Sequence, residues 1–350
     1  MYIGGRSVKF ALKLAGVGTV VAMLPFAACG QAASRRGTMV TEAAPSANSS
    51  TSALPPGTLQ IRVDCGSSTA KVKTIAAGLK LLGNLHPAAL LISGTCHEGV
   101  LIQGLADLTL QGNPTATIDG GSDPNTTTVG ILASQNVALN NLTITGGGQG
   151  LACIAESYCE LTQVTVQNSL GEGAAVNRGS HLFFVDCLIE NNASVGLDVA
   201  AGGASFIGGQ ISGNGSDGVL LRNGGTFSAA PADENDKATI EDNAGNGIRA
   251  SLHNTVNLQA TVITNNAVDG VTLQLGSAMN SLASNISNNG GHQVRIGDLS
   301  VARFSGGPTN TVKGANFPDI VCDPQFSTTR QLSNAPGATT NCPAELPPTP

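Results

Sequence analysis

Four charged side chains, Asp198, Arg222, Arg249 and Arg295, stand where the chain could hold a ligand. Arginines pair with the carboxylates of an acidic polymer through charge-assisted, two-pronged hydrogen bonds. Cleaving a glycosidic bond asks for more: one carboxyl protonates the leaving group while a second activates water or attacks. Asp198 is the one carboxylate of the four, and the sequence contains no Asp-Asp pair. A second series, Glu172, Asp217, Asn246, Asp269 and His292, falls where Asp and Asn cap the amides of turns. Neither this series nor Asp119-Gly-Gly-Ser-Asp123 matches a calcium-binding nonapeptide repeat, so solvated turns are expected there and no metal site. No phosphate-cradling loop, serine-nucleophile motif or catalytic Cys–His pair stands out, and no cofactor is expected.

A repeat places these residues. Apolar anchors stand at Ile144, Val166, Ile189, Ile211, Ile240, Ile263 and Ile286, with successive spacings of 22, 23, 22, 29, 23 and 23 residues. Three positions after the anchor come Asn192, Asn214, Asn243, Asn266 and Asn289, and seven after it Gly173, Gly196, Gly218, Gly247 and Gly270. Apolar residues return eight and ten positions after it, as in Leu197 and Val199 or Val219 and Leu221. That alternation is the signature of a strand with one buried face. The Asn column reads as a bend, because Asn tolerates left-handed backbone and its amides stack between coils. The Gly column reads as a tight turn.

A period near 22–23 residues holds three short strands and three turns. The expected fold is all-β, a right-handed parallel β-helix of about ten coils. A leucine-rich repeat has a similar period but needs several Leu at fixed offsets, which this chain lacks. Position nine after the anchor then faces outward, with Ala175, Asp198, Leu220, Arg249, Thr272 and Arg295 in one column; Arg222 lies in the column at position eleven. Coils stack ~4.8 Å apart, so Asp198 and Arg249, two coils apart, are loosely spaced, whereas Asp198 and Arg222 can form a surface ion pair. This column is the expected ligand face. The 29-residue coil carries an acidic insertion near Pro231–Asp236, read as a tolerated loop or a contact for a partner.

The repeats resemble those of the pectin-lyase-like superfamily over about Thr58 to Val321. That resemblance implies a short helix over the first coil, and Thr74–Leu82, apolar at Ile75, Leu79 and Leu82, suits it. Short strands are expected at Leu90–Ile92, Val100–Ile102, Leu108–Leu110 and Ala116–Asp119. The resemblance also implies polysaccharide chemistry. Similar glycosidases use three carboxylates, two of them adjacent, with a His and an Arg-Ile-Lys segment. Here Gly291-His292 and Arg295-Ile296-Gly297 lie three residues apart and lack the Lys, so no enzyme family is matched.

The ends of the chain speak to location. Arg6, Lys9 and Lys13 precede an apolar run from Leu14 to Ala28, as in a signal peptide over residues 1–29. Leu24-Pro-Phe-Ala-Ala-Cys29 resembles a bacterial lipoprotein box with Cys29 as the lipidated residue; cleavage near Ala32 or Ala33 is the alternative. Residues 30–57, rich in Ala, Ser, Thr and Pro, read as a flexible linker, and 322–350 as a C-terminal cap and tail. Export favours disulfides, with Cys65–Cys96, Cys153–Cys159 and Cys322–Cys342 as candidates and Cys187 left as a buried thiol. A net charge of −6 without a basic block excludes nucleic acid as a partner. Membrane attachment is expected only through a lipid on Cys29. The absence of Trp argues against broad sugar-stacking platforms. The sequence therefore points to an exported, non-catalytic scaffold that binds polysaccharide or a surface protein. The alternative is a polysaccharide lyase or glycoside hydrolase.

Overall fold

In a computed structural model, residues 54–305, 307, 309–323 and 334–343 are described, with backbone alone at 328–330. The signal-peptide reading, including Cys29, and residues 30–53 of the linker reading lie outside the described residues. Alternating apolar side chains meet across adjacent coils, and every strand pairing is parallel. The anchors Ile144, Val166, Ile189, Ile211, Ile240, Ile263 and Ile286 lie opposite one another in one unbroken register. All seven are 0% exposed.

The fold is a right-handed parallel β-helix. Each repeating coil contributes a four-residue strand such as Leu197–Ala200, a five-residue strand such as Gly203–Ile207 and a three-residue strand such as Gln210–Ser212. The four-residue strands and their counterparts in the end coils, three to six residues long, form one ten-stranded sheet, running from Val100–Gln103 to Ile320–Cys322. The other two strand types form a 19-stranded sheet. That sheet extends past 321 to Thr328–Arg330. In the first coils the expected short strands are longer, and Ala106–Asp119 runs as one strand with a register shift between Gln111 and Ala116.

Turn backbones enclosed in such a rod cannot reach water, so their N–H and C=O groups need partners inside it. Asn192 Oδ1 accepts from Ser169 N, and its Nδ2 donates to Val166 O and to Asn214 Oδ1 at 3.0 Å. Asn214, Asn243, Asn266 and Asn289 repeat this pattern, and the ladder ends on Gln293 Oε1 at 2.8 Å. The second corner carries Ser134, Ser157 and Ser180, and further on Asn254, Ser277 and Ser300. The third carries Thr261, Ser284 and Asn310. Cys187 occupies this third corner, where its Sγ lies 3.4 Å from Leu161 O and 3.3 Å from Val185 O. Burial pushes its thiol up to about 12, so it is a corner filler rather than a nucleophile.

Two sequence readings are corrected here. Left-handed backbone sits one residue before this corner column, at Asn168 before Ser169 and at Asn191, Asp242, Asn265 and Asn288 before ladder Asn residues, with φ between 54° and 57°, and at Gly213 before Asn214 with φ 63°. Bending and bridging are thus divided between neighbouring columns. The Gly column owes its identity to close approach rather than to turn freedom. A Cβ on Gly173 would stand 2.5 Å from Asn192 Nδ2 and 2.7 Å from Gly196 O.

The N-terminal end is closed by the helix Ile75–Leu82. Thr74 Oγ1 accepts from Ala77 N, and the Glu98 carboxylate accepts from Ile75 N and Ala76 N at 2.6 and 3.1 Å. Disulfides join Cys65 to Cys96, Cys153 to Cys159 and Cys322 to Cys342. Replacing Asn243 by Ala removes the acceptor of Asn214 N and Nδ2. Denaturant unfolding is expected to show a loss of about 2–3 kcal/mol, against under ~0.5 kcal/mol for a substitution at the exposed Asn257.

Candidate ligand-binding face

The outward positions of the four-residue strands form one face. Ala152, Ala175, Asp198, Leu220, Arg249, Thr272 and Arg295 line up across successive coils. This column is recessed rather than prominent: Ala152 is 6% exposed, Ala175 5%, Asp198 3% and Thr272 4%. The cause is visible in the hydrogen bonds, because side chains of the preceding turn lean over the strand.

Asp217 shows how. Its Oδ1 accepts from Asn246 N and Nδ2 at 2.9 and 2.8 Å, which caps the next coil's turn. Its Oδ2 accepts from Arg249 Nε at 2.7 Å. Asp269 repeats the arrangement, with Oδ1 on His292 N at 2.7 Å and Oδ2 on Arg295 Nε at 2.6 Å. The Thr272 hydroxyl also reaches Asp269 Oδ2, at 3.1 Å. Asp198 and Arg222 form a two-pronged pair, Nε on Oδ1 at 2.9 Å and Nη2 on Oδ2. The Asp198 carboxylate in turn holds the Arg222 guanidinium above its ordinary range.

The four sequence-singled residues therefore share a face without forming one cluster. Asp198 and Arg222 do pair, but the carboxylate is buried, which corrects the reading of a surface ion pair. Arg249 and Arg295 belong instead to Asp217 and Asp269, two residues read only as turn caps. The signal was present. Asp269 precedes Arg295 by 26 residues, one 23-residue coil plus three. Asp217 precedes Arg249 by 32, which is the same offset plus the six-residue insertion. Each arginine keeps 43–47% of its side chain exposed above its carboxylate.

Toward the N-terminal coils the same face opens into a groove of about 370 Å³. Gly130 and Ala152 leave its floor low, while Leu101, Leu132, Ile154 and Asn177 border it. Asn177 Oδ1 is enclosed without a protein partner. Gln149, also at the groove, donates from Nε2 to Glu172 Oε2 at 2.8 Å. Glu172 has its carboxyl raised above the ordinary range, first by burial and then by the charge of Asp198, with Gln149 and Arg222 opposing. A carboxyl that holds its proton more tightly thus stands beside an ion-paired one.

Two other features lie off this face. The insertion connects the five-residue strand Thr226–Ala230 to the three-residue strand Thr239–Glu241 and places Asp236 against Asp186. Burial and a hydrogen bond shared with Asp236 push the Asp186 carboxyl up to about 6. Cys65, Cys96 and Glu98 are the one grouping of three potential metal ligands among the described residues, and their two sulfurs are spent in a disulfide. Among the described residues no helix is long and apolar enough to cross a membrane.

Replacing Asp269 by Ala strips acceptors from His292 N, Thr272 and Arg295. A loss of about 2 kcal/mol is expected, and under ~1 kcal/mol for Arg295→Ala, both read by denaturant unfolding. Glu172 carries the opposite sign to a salt-bridged acid. Its folded pKa is raised, so its contribution is full below the unfolded value near 4.5 and is lost as pH rises through the folded value. The midpoint temperature of Glu172→Gln should exceed wild type at neutral pH, with the gap closing at pH 4.

The family profile described as "Right handed beta helix region" matches residues 90–232 and 157–306. Among solved structures, the A-module of the Azotobacter vinelandii mannuronan C-5 epimerase AlgE6 is 15% identical, with 81% of this chain and 89% of that one covered and a TM-score of 0.50. The pectate lyase Pel9A is 14% identical, with 83% and 82% covered and a TM-score of 0.49. No curated protein sequence matches the chain. Likeness at such identities is a likeness of fold. With two overlapping matches spanning residues 90–306 and ten short strands stacked in one parallel sheet, the chain belongs to the right-handed β-helix family.

Proposed function

We propose that this protein is an exported, non-catalytic β-helix that binds a polysaccharide chain along the outward face of its four-residue strands. The carrying observation is the groove beside Leu101, Leu132, Ile154 and Asn177, which continues into the strip of half-exposed Arg222, Arg249 and Arg295. A long shallow surface of apolar walls and amide or guanidinium groups suits a chain of sugar rings. The commitment of Asp198, Asp217 and Asp269 to arginines and turn amides supports a binding rather than a cleaving role, because hydrolysis needs two available carboxyls. Export is supported by the signal-peptide pattern of residues 1–29 and by three disulfides, which persist in oxidising compartments. A lipid on Cys29, followed by the linker of residues 30–57, would hold the rod at a membrane surface.

One observation favours the lyase or hydrolase reading. Glu172, with its raised pKa, interacts electrostatically with Asp198, so a proton donor and a paired carboxylate neighbour one another. A single experiment separates the two. Neutral and acidic polysaccharides are tested for retardation of the protein in affinity gels, and for unsaturated products and new reducing ends. The binding role predicts retardation by at least one polymer without turnover. It also predicts at least tenfold weaker binding in Gly130→Phe, whose ring would fill the groove. Turnover abolished by Glu172→Gln would replace the binding reading with the enzymatic one.

A further inference from the structure

The five-residue strands carry a separate feature on the other sheet. Tyr158 and His181 stand opposite each other on adjacent coils. Their rings are stacked, with centroids 6.1 Å apart and planes 8° from parallel. Tyr158 remains 39% exposed. Two residues on, at the next outward position, the exposed Glu160 lies opposite the half-buried Phe183. Glu156, also exposed, stands in the turn just before Tyr158.

The surroundings fix this pair in place. The Cys153–Cys159 disulfide closes the loop that delivers Tyr158. Ser157 Oγ donates to Ile154 O at 2.6 Å, and Ser157 N donates to Ser180 Oγ at 3.0 Å. On the next coil, the residue opposite His181 is Gly203. A Cβ there would stand 2.4 Å from His181 Nδ1, so the imidazole occupies the space a longer side chain would take. Gly203 is what lets the ring lie in the stack. The chain has no Trp and two Tyr, and Phe184, Phe206, Phe227 and Phe304 are spent in the core; Phe317 is exposed but unstacked, so Tyr158 and His181 are the one stacked ring pair at the surface among the described residues.

We propose that Tyr158 and His181, flanked by Phe183, form a second saccharide-binding surface, and that its ligand is a neutral glycan. The C–H face of a pyranose ring packs on aromatic carbon, and ring-bearing side chains offer that area at low entropic cost. Glu156 and Glu160 accept hydrogen bonds from sugar hydroxyls. The same carboxylates repel uronate polymers, which sets this surface apart from the arginine strip on the opposite sheet. Its existence does not depend on the groove.

The test exploits the composition. In the full-length chain carrying Tyr2→Phe, Tyr158 is the only tyrosine and there is no Trp, so intrinsic emission reports on this site alone. Dextran, a soluble β-1,3-glucan, galactomannan and polygalacturonate are titrated in. The expected result is a saturable change in Tyr158 emission with at least one neutral glycan and none with polygalacturonate. Affinity-gel retardation by that glycan should weaken at least fivefold in Tyr158→Ala and in Gly203→Leu, which displaces the imidazole while keeping both rings. Tyr158→Phe should retain it. Gly130→Phe should leave the emission change intact, so failure of the groove and failure of this surface are read separately. No change with any neutral glycan, a response to polygalacturonate alone, or retardation unaffected by both Tyr158→Ala and Gly203→Leu would overturn the proposal.

Discussion

The rod depends on one requirement: the backbone at its corners is sealed from water and must be hydrogen-bonded within the protein. Strand backbones meet it by pairing with the coils on either side. Corner backbones cannot, and the chain supplies side-chain amides and hydroxyls instead. The Asn192 to Asn289 ladder is the longest of these. Each rung satisfies a backbone carbonyl of the preceding coil and a backbone amide, so a coil is completed only by its neighbours. Stability is thus shared along the rod, as expected where each repeat contacts only those beside it.

This requirement also shapes the surface. With Asn side chains filling the interior of one corner, the opposing residues are held to Gly, and the four-residue strand follows at once. Turn residues one position before those glycines point outward, and there Asp217 and Asp269 cap the next coil's amides with one oxygen. Their second oxygen is left to fix an arginine. The same residues serve coil stacking and the ordering of a polar strip. Where the strand carries Gly130 and Ala152 in place of charged residues, the face sinks into a groove.

Much of this was legible in the sequence because a 22–23-residue period puts chemically alike residues in columns. The anchors, the Asn series and the apolar pairs at positions eight and ten each translate into a line of contacts along the rod. Reading columns one at a time also set the limit. The partners of Arg249 and Arg295 lie in a different column and on the preceding coil, so reading by column found the Asp198–Arg222 pair but left these two arginines without their carboxylates. Burial was missed for a related reason. Asp198 and Thr272 alternate outward as strand residues should, yet Arg222 of the next coil covers Asp198, and Asp269 of the preceding turn covers Thr272. The Tyr158–His181 stack was invisible because its decisive residue is an absence of side chain at Gly203, one coil further on.

The central claim is that a ligand lies along the outward face of the four-residue strands. Hydroxyl-radical footprinting of the full chain, with and without a polysaccharide that retards it, tests this side chain by side chain. Leu101, 58% exposed, borders the groove with Leu132 and Ile154, whereas Leu252 and Leu275, 43% and 44% exposed, stand at turns away from it. The account predicts that bound polysaccharide lowers oxidation of Leu101, Leu132 and Ile154 and leaves Leu252 and Leu275 unchanged. Unchanged oxidation at the groove, with protection elsewhere on the rod, would contradict it.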